Sequence, residues 1–110
     1  MSASDPYVIA LIGDIDISKY PEMRAAFGAA MDAQGPVLVD LGGVHYVDSY
    51  FLSELLMFAR KCEAIDRAVV VHSPDHYVAR TFGLAGVGNR IDVFTDRAAA
   101  LAALKRKDLA

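Results

Sequence analysis

Three short runs constrain the fold more than anything else in the chain. Tyr7–Ile12 (YVIALI), Val37–Leu41 (VLVDL) and Ala68–His72 (AVVVH) are apolar at nearly every position. Segments this short, apolar on both faces of a strand, have to be covered from above and below. Between them, apolar residues return at helical spacing. Alternation of such strands with amphipathic helices is the pattern of a parallel sheet wrapped by helices. A fourth run, Ile91–Phe94, completes the set. The expectation is a single α/β domain with a mostly parallel sheet of four to five strands, covered by about four helices. Its core runs from Tyr7 to Leu104 within the 110 residues.

The connections follow from local chemistry. Gly13-Asp14-Ile15-Asp16 reads as a turn toward Ser18, a candidate cap for a helix with Pro21 in its first turn, where a missing amide costs little. Tyr20, Met23, Phe27, Ala30 and Met31 form that helix's buried stripe, and Gly35-Pro36 ends it. Gly42-Gly43 is a turn or bulge. A central helix runs from about Tyr50 to Ile65. Ser73-Pro74-Asp75 opens a short helix reaching Leu84, with Gly86 as its C-terminal cap. Thr95 caps a last helix reaching Lys107.

Composition narrows the function. With 55% hydrophobic and 23% charged residues the chain is an ordinary globular domain. A net charge of -3 gives no overall basic field for nucleic acid or anionic lipid. Lys105, Arg106 and Lys107 fall in a helix's last turn, where cations offset exposed carbonyls. Cys62 is the only cysteine, so no intrachain disulfide is possible; it lies on the apolar face of the central helix and reads as a buried thiol. His72 and His76 flank a strand end without a third ligand at suitable spacing, so no metal is expected. No Gly-rich phosphate loop and no Gly-x-Ser-x-Gly elbow occurs, so neither catalysis nor a cofactor is expected. The N-terminus lacks a basic, then apolar, leader pattern, and no run approaches the roughly 20 apolar residues of a membrane span. A cytoplasmic protein without membrane insertion is the expectation.

The most informative stretch is Val44–Leu56, VHYVDSYFLSELL. A β-branched run gives way at Asp48-Ser49 to helical spacing from Phe51. Both residues are good helix caps. They set a serine hydroxyl at the positive end of a helix, a position that suits an anion such as a phosphoserine. Capping alone accounts for the pair as well. Phe51 shares a stripe with Leu55 and Phe58 and reads as core; Tyr50 lies off it and reads as a partner contact.

Two segments carry a family resemblance. Gly13-Asp14-Ile15-Asp16, followed by Pro21, Met23 and Phe27, resembles the Gly-Glu-Leu/Ile-Asp segment that leads into the first helix of the STAS family. Val39-Asp40-Leu41-Gly42-Gly43-Val44-His45-Tyr46-Val47-Asp48-Ser49 resembles the family's strand, turn and Asp-Ser-Ser/Thr-Gly-Leu loop, with Leu52 on the motif's leucine. Tyr50 and Phe51 stand where the motif has a second small hydroxyl residue and a glycine.

The family's best-known members are bacterial anti-sigma factor antagonists. The resemblance implies that Ser49 is a phosphoacceptor, modified by an anti-sigma factor with serine-kinase activity. The unphosphorylated protein would bind that partner and free a sigma factor, and the phosphorylated form would let go. Asp14, Asp16, Asp48, Tyr50, Ser53 and Glu54 would form the partner interface, and a dimer is possible. Two other functions remain open at this point: a STAS subunit of a lipid-transport ABC system, docked on its ATPase, and a small-ligand sensor with a pocket near Tyr50 and Tyr46.

Overall fold

The structure, a computed structural model, describes residues 5–109. The first four of the residues on which the expectation about a leader rests, 1–4, lie outside the described residues. The chain runs β1 (Tyr7–Ile15), α1 (Tyr20–Asp32), β2 (Val37–Val47), α2 (Ser49–Ala64), β3 (Val69–His72), α3 (His76–Leu84), β4 (Asp92–Phe94) and α4 (Arg97–Leu109), with single 3-10 turns at Ile17–Lys19 and Val87–Asn89. The strands form one sheet in the order β1-β2-β3-β4, and every pairing is parallel.

Parallel crossovers are right-handed, and in a sheet built in sequence order that places every crossover helix on the same face. Ile9, Leu11 and Ile15 of β1, Val39, Leu41 and Val44 of β2 and Val71 of β3 accordingly meet Met23 and Phe27 of α1, Phe51, Leu55 and Phe58 of α2, and Val78 and Phe82 of α3. Phe27 stacks on Phe58 with ring centroids 4.9 Å apart, and on Phe51 at 6.2 Å. Cys62 is buried in this core. The helix after the last strand is free of the crossover rule, and α4 packs on the opposite face, with Ala100 and Leu104 against Leu38 and Val70.

Full coverage of the sheet, expected from the apolar runs, fails at β1. Leu38 and Val70 hold α4 over β2 and β3, so the outer side of β1 stays open: Val8 is 39% and Ile12 66% exposed. The strands are also longer than their apolar runs. Gly13, Asp14 and Ile15 extend β1 instead of turning, and β2 runs unbroken to Val47. Register shifts between Ala10 and Ile12 and between Ile12 and Asp14 absorb extra residues on β2, so Gly42-Gly43 is a bulge. Glycine is needed there, since a Cβ on Gly43 would sit 2.9 Å from Ile12 Cγ2. Gly13, at φ 80°, holds the matching kink in β1.

Two caps differ from expectation. Asp16, not Ser18, caps the turn before α1, accepting from the Ser18 amide at 3.0 Å. Asp96, not Thr95, caps α4, accepting from the Ala99 amide at 2.9 Å. In both places a carboxylate within two positions of the expected hydroxyl residue reaches a first-turn amide, and its charge suits the positive helix end.

Candidate functional site

The bulged extension of β1 and β2 has a consequence for the expected site. Their last pairs are Asp14 with Tyr46 and Ile15 with Val47, so the two strands end side by side. Asp16 and Asp48 are the next residues of each chain segment. The carboxylates of the two resembling motifs therefore share one pole of the sheet, at the carboxyl ends of its strands.

Asp48 is the N-cap of α2, extended at φ -107° and ψ 176°, and its Oδ1 accepts from the Phe51 amide at 2.9 Å. Its Oδ2 accepts a short hydrogen bond from the Tyr20 hydroxyl. That hydrogen bond, then burial and the negative charges of Asp48 and Asp16, push the Tyr20 phenol from its ordinary 10.0 up to about 12. Both oxygens of Asp48 are thus engaged. Ser49, the first residue of α2, is exposed, and its hydroxyl makes no hydrogen bond to any described residue.

Tyr50 is half-buried. Its ring packs on Tyr20 with centroids 4.2 Å apart and planes tilted by 38°. Arg24 Nη1 donates to its hydroxyl at 2.9 Å. Phe51 is fully buried, as its stripe implies. Asp16 accepts from the Ser18 hydroxyl at 2.6 Å and from its amide, and these bonds hold its carboxyl below the ordinary range. Asp14 is exposed at the end of β1.

Ser53 and Glu54 lie a turn further along α2 and diverge. Ser53 opens onto a hollow of about 270 Å³ with Leu56, Met57 and Arg90. Glu54 lies on the other flank, in the cleft between α1 and α2 with Arg24, Met31 and Lys61. The structure therefore brings Asp14, Asp16, Asp48, Ser49 and Tyr50 to one pole, and leaves Ser53 and Glu54 along the sides of the helix below it. Tyr46 alternates with buried Val47 and points to the outer face, whereas Tyr50 packs on Tyr20 on the helix side. Tyr46 and Tyr50 thus present their rings on different sides of the pole.

Several residues at this pole carry no local sequence signal. Tyr20 reads as core, yet its hydroxyl reaches Asp48 across 28 positions. The spacing of Tyr20 and Arg24 on one face of α1 is the one available clue to their joint role at Tyr50. His45 Nδ1 donates to Asp75 Oδ2 at 2.8 Å, and Asp75 also caps α3 through the amides of Tyr77 and Val78. The His45 bond is the main reason its carboxyl lies below the ordinary range. On the outer face Asp40 accepts from His72 Nδ1 at 2.9 Å, Arg97 Nε at 3.0 Å and the Gly42 amide at 2.9 Å. Among the described residues no group of three His, Cys, Asp or Glu side chains stands together to hold a metal ion. No helix among them is long and apolar enough to cross a membrane.

Comparison with known proteins places the fold. A family model described as "Mlab, STAS domain" matches residues 2–96. The fold also matches two solved structures. An anti-sigma factor antagonist from Mycobacterium paratuberculosis is 23% identical with a TM-score of 0.74, over 91% of this chain and 86% of that one. A provisionally assigned anti-sigma factor antagonist from Thermotoga maritima is 14% identical with a TM-score of 0.73, over 90% of this chain and 88% of that one. No curated protein matches. The described residues thus form an α/β domain with a four-stranded parallel sheet and four α-helices. The chain belongs to the STAS family.

Proposed function

We propose that the protein is an anti-sigma factor antagonist: a binding protein that captures an anti-sigma factor with serine-kinase activity and is switched off by phosphorylation of Ser49. The observation that carries this reading is the state of Ser49. Its hydroxyl is exposed and free of hydrogen bonds to the described residues, at the start of a helix whose cap is already supplied by Asp48. A residue needed only to cap the helix has no reason to be the one beside the cap.

The surroundings explain how modification would act. A phosphate adds about -1.5 to -2 charges. The dipole of α2 tolerates that charge within the folded chain, contributing about 0.3–1 kcal/mol. Asp14, Asp16 and Asp48 share the pole, so the added charge makes the face strongly acidic and its desolvation against a partner costly. Phosphorylation therefore favours release. Both neighbouring structures belong to proteins described as anti-sigma factor antagonists, which agrees with the reading at the level of the fold.

The test is to incubate the protein with candidate kinase-type anti-sigma factors and ATP, map the modified residue by mass spectrometry, and measure binding of Ser49→Ala and Ser49→Asp. The expected result is phosphate on Ser49 alone, binding retained by Ser49→Ala and lost by Ser49→Asp, with unchanged thermal stability. No phosphate on Ser49, together with unaltered binding by Ser49→Asp, overturns it.

One observation favours a second reading, a STAS subunit docked on a transport ATPase without phosphorylation. Where the family motif has small residues, the Tyr50 ring stands stacked on Tyr20 and tied to Arg24, a ready contact surface that needs no phosphate. Co-purification of a transport ATPase that survives both Ser49 substitutions but not Tyr50→Ala would select it.

A further inference from the structure

We propose that the outer edge of β1 is a self-association surface, on which a second copy of the chain pairs antiparallel about a two-fold axis at Ala10. This rests on the sheet alone and is independent of any role for Ser49.

Among the described residues the edge is open. The sheet order leaves β1 outermost, and no strand among the described residues pairs with its far side. The Tyr7 amide donates to the Pro36 carbonyl at 2.7 Å, so Tyr7 faces β2. Alternation along the strand then turns the amides and carbonyls of Val8, Ala10 and Ile12 away from β2. The exposure pattern alternates in step: Ile9 and Leu11 are buried while Val8, Ala10 and Ile12 are exposed. Exposed edges are normally blunted by charge, proline or a kink. From Tyr7 to Ile12 the strand carries neither charge nor proline, the extra residue of the bulge beside it lies on β2, and the first charge is Asp14, beyond the kink at Gly13.

The same three residues form an apolar strip. Val8 and Ile12 are exposed because α4 packs over β2 and β3 instead. An unpaired edge and an uncovered apolar face therefore coincide on one strand.

A second copy fits both features in one register. In an antiparallel pair, two residues exchange both hydrogen bonds only if each points at the other strand. Pairing Ala10 with the partner's Ala10 sets Val8 opposite the partner's Ile12 and Ile12 opposite the partner's Val8. All are outward-facing positions, so the free backbone groups of the strip are satisfied together. On the outer face that register also joins Val8 and Ile12 across the strands, where apolar cross-strand pairs are stabilising. Pro6, with no amide to donate, and the kink at Gly13 bracket the paired segment. A single strand pair is smaller than the roughly 800 Å² per partner of a standard interface, so the dimer is concentration-dependent.

The register makes a sharp test with the full chain. In a hydrogen-bonded antiparallel pair the Cα atoms are about 5.5 Å apart, within the disulfide window of about 4.4–6.8 Å. The native Cys62 is buried and silent. Ala10→Cys is expected to form a covalent dimer on mild oxidation. Val8→Cys and Ile12→Cys separately are expected to react no more than a control, Tyr77→Cys, at a position 78% exposed on α3. A mixture of the Val8→Cys and Ile12→Cys chains is expected to cross-link. In sedimentation across a concentration series, Ile12→Lys is expected to weaken association at least ten-fold, and Tyr77→Lys to leave it unchanged. All these side chains are exposed, and circular dichroism checks that each variant keeps the fold. Cross-linking at position 10 no greater than at position 77, or a wild-type chain that stays monomeric throughout the series, overturns the proposal.

Discussion

Asp40 joins three parts of the fold, and replacing it tests that role. Its side chain is 18% exposed and accepts from His72 at the end of β3, from Arg97 at the start of α4 and from the Gly42 amide in the bulge of β2. Burial pushes its carboxyl up, but the His72, Arg97 and Gly42 hydrogen bonds together outweigh burial and hold it below the ordinary 3.8. A hydrogen bond to a charged group is worth about 1.5–3 kcal/mol. The Arg97 side chain is 49% exposed, so its share falls to about 1 kcal/mol or less. Asp40→Asn keeps one oxygen for His72 and Gly42, makes those bonds neutral, and turns an amide toward Arg97.

The expected loss is about 1–2 kcal/mol at neutral pH, read from urea unfolding. The pH dependence follows from the direction of the shift. A carboxyl lowered in the folded state contributes stability that is present above 3.8 and lost as pH falls through the folded value. The gap between wild type and Asp40→Asn is therefore expected to close as pH falls below that of an ordinary aspartate. Equal stability at neutral pH, or a gap that persists in acid, would refute the account of Asp40 as a charged tie.

Three further outcomes follow from the pole and the core. Asp48→Ala removes the α2 cap and is expected to cost about 1 kcal/mol from the cap alone, measured by chemical unfolding. In spectrophotometric titration the tyrosinate step near pH 12 is expected to vanish in Tyr20→Phe and to move to lower pH in Asp48→Asn, because the carboxylate raises it. Burial raises the Cys62 thiol, so thiol reagents at mildly alkaline pH are expected to label it only on unfolding; labelling at the rate of a free thiol would contradict its place in the core.

What the sequence shows and conceals divides by distance along the chain. Met23 and Phe27 on α1, and Phe51, Phe58 and Cys62 on α2, are legible because helical periodicity is a local signal, and all five are buried. Asp48 is legible as a cap for the same reason. The extension of β1 through Gly13-Asp14-Ile15 is not, because glycine and aspartate are poor strand formers and only pairing with the bulged β2 makes a strand of them. Nor is the open face of β1. Apolar residues suggest burial, but which strand α4 covers is decided by Leu38 and Val70, far from Tyr7–Ile12. The links from Tyr20 to Asp48 and from Asp40 to Arg97 span 28 and 57 positions, and no pattern in a single sequence joins them.

The engagement of Asp48 bears on how Ser49 could react. An aspartate next to a serine invites the idea that the carboxylate activates the hydroxyl, as a general base would. Here one oxygen is committed to the Phe51 amide and the other to the Tyr20 hydroxyl. Freeing either would uncap α2 or unpair a half-buried phenol that stacks on Tyr50. Asp48 therefore acts as a positioning residue: it fixes the first turn of α2 and leaves the Ser49 hydroxyl standing free. Asp48 does not activate such a hydroxyl, so the proposed phosphorylation of Ser49 would need a base supplied by the kinase. Under the proposed switch, the charge change would fall on Ser49 while the fold of the pole rests on Asp48 and Tyr20.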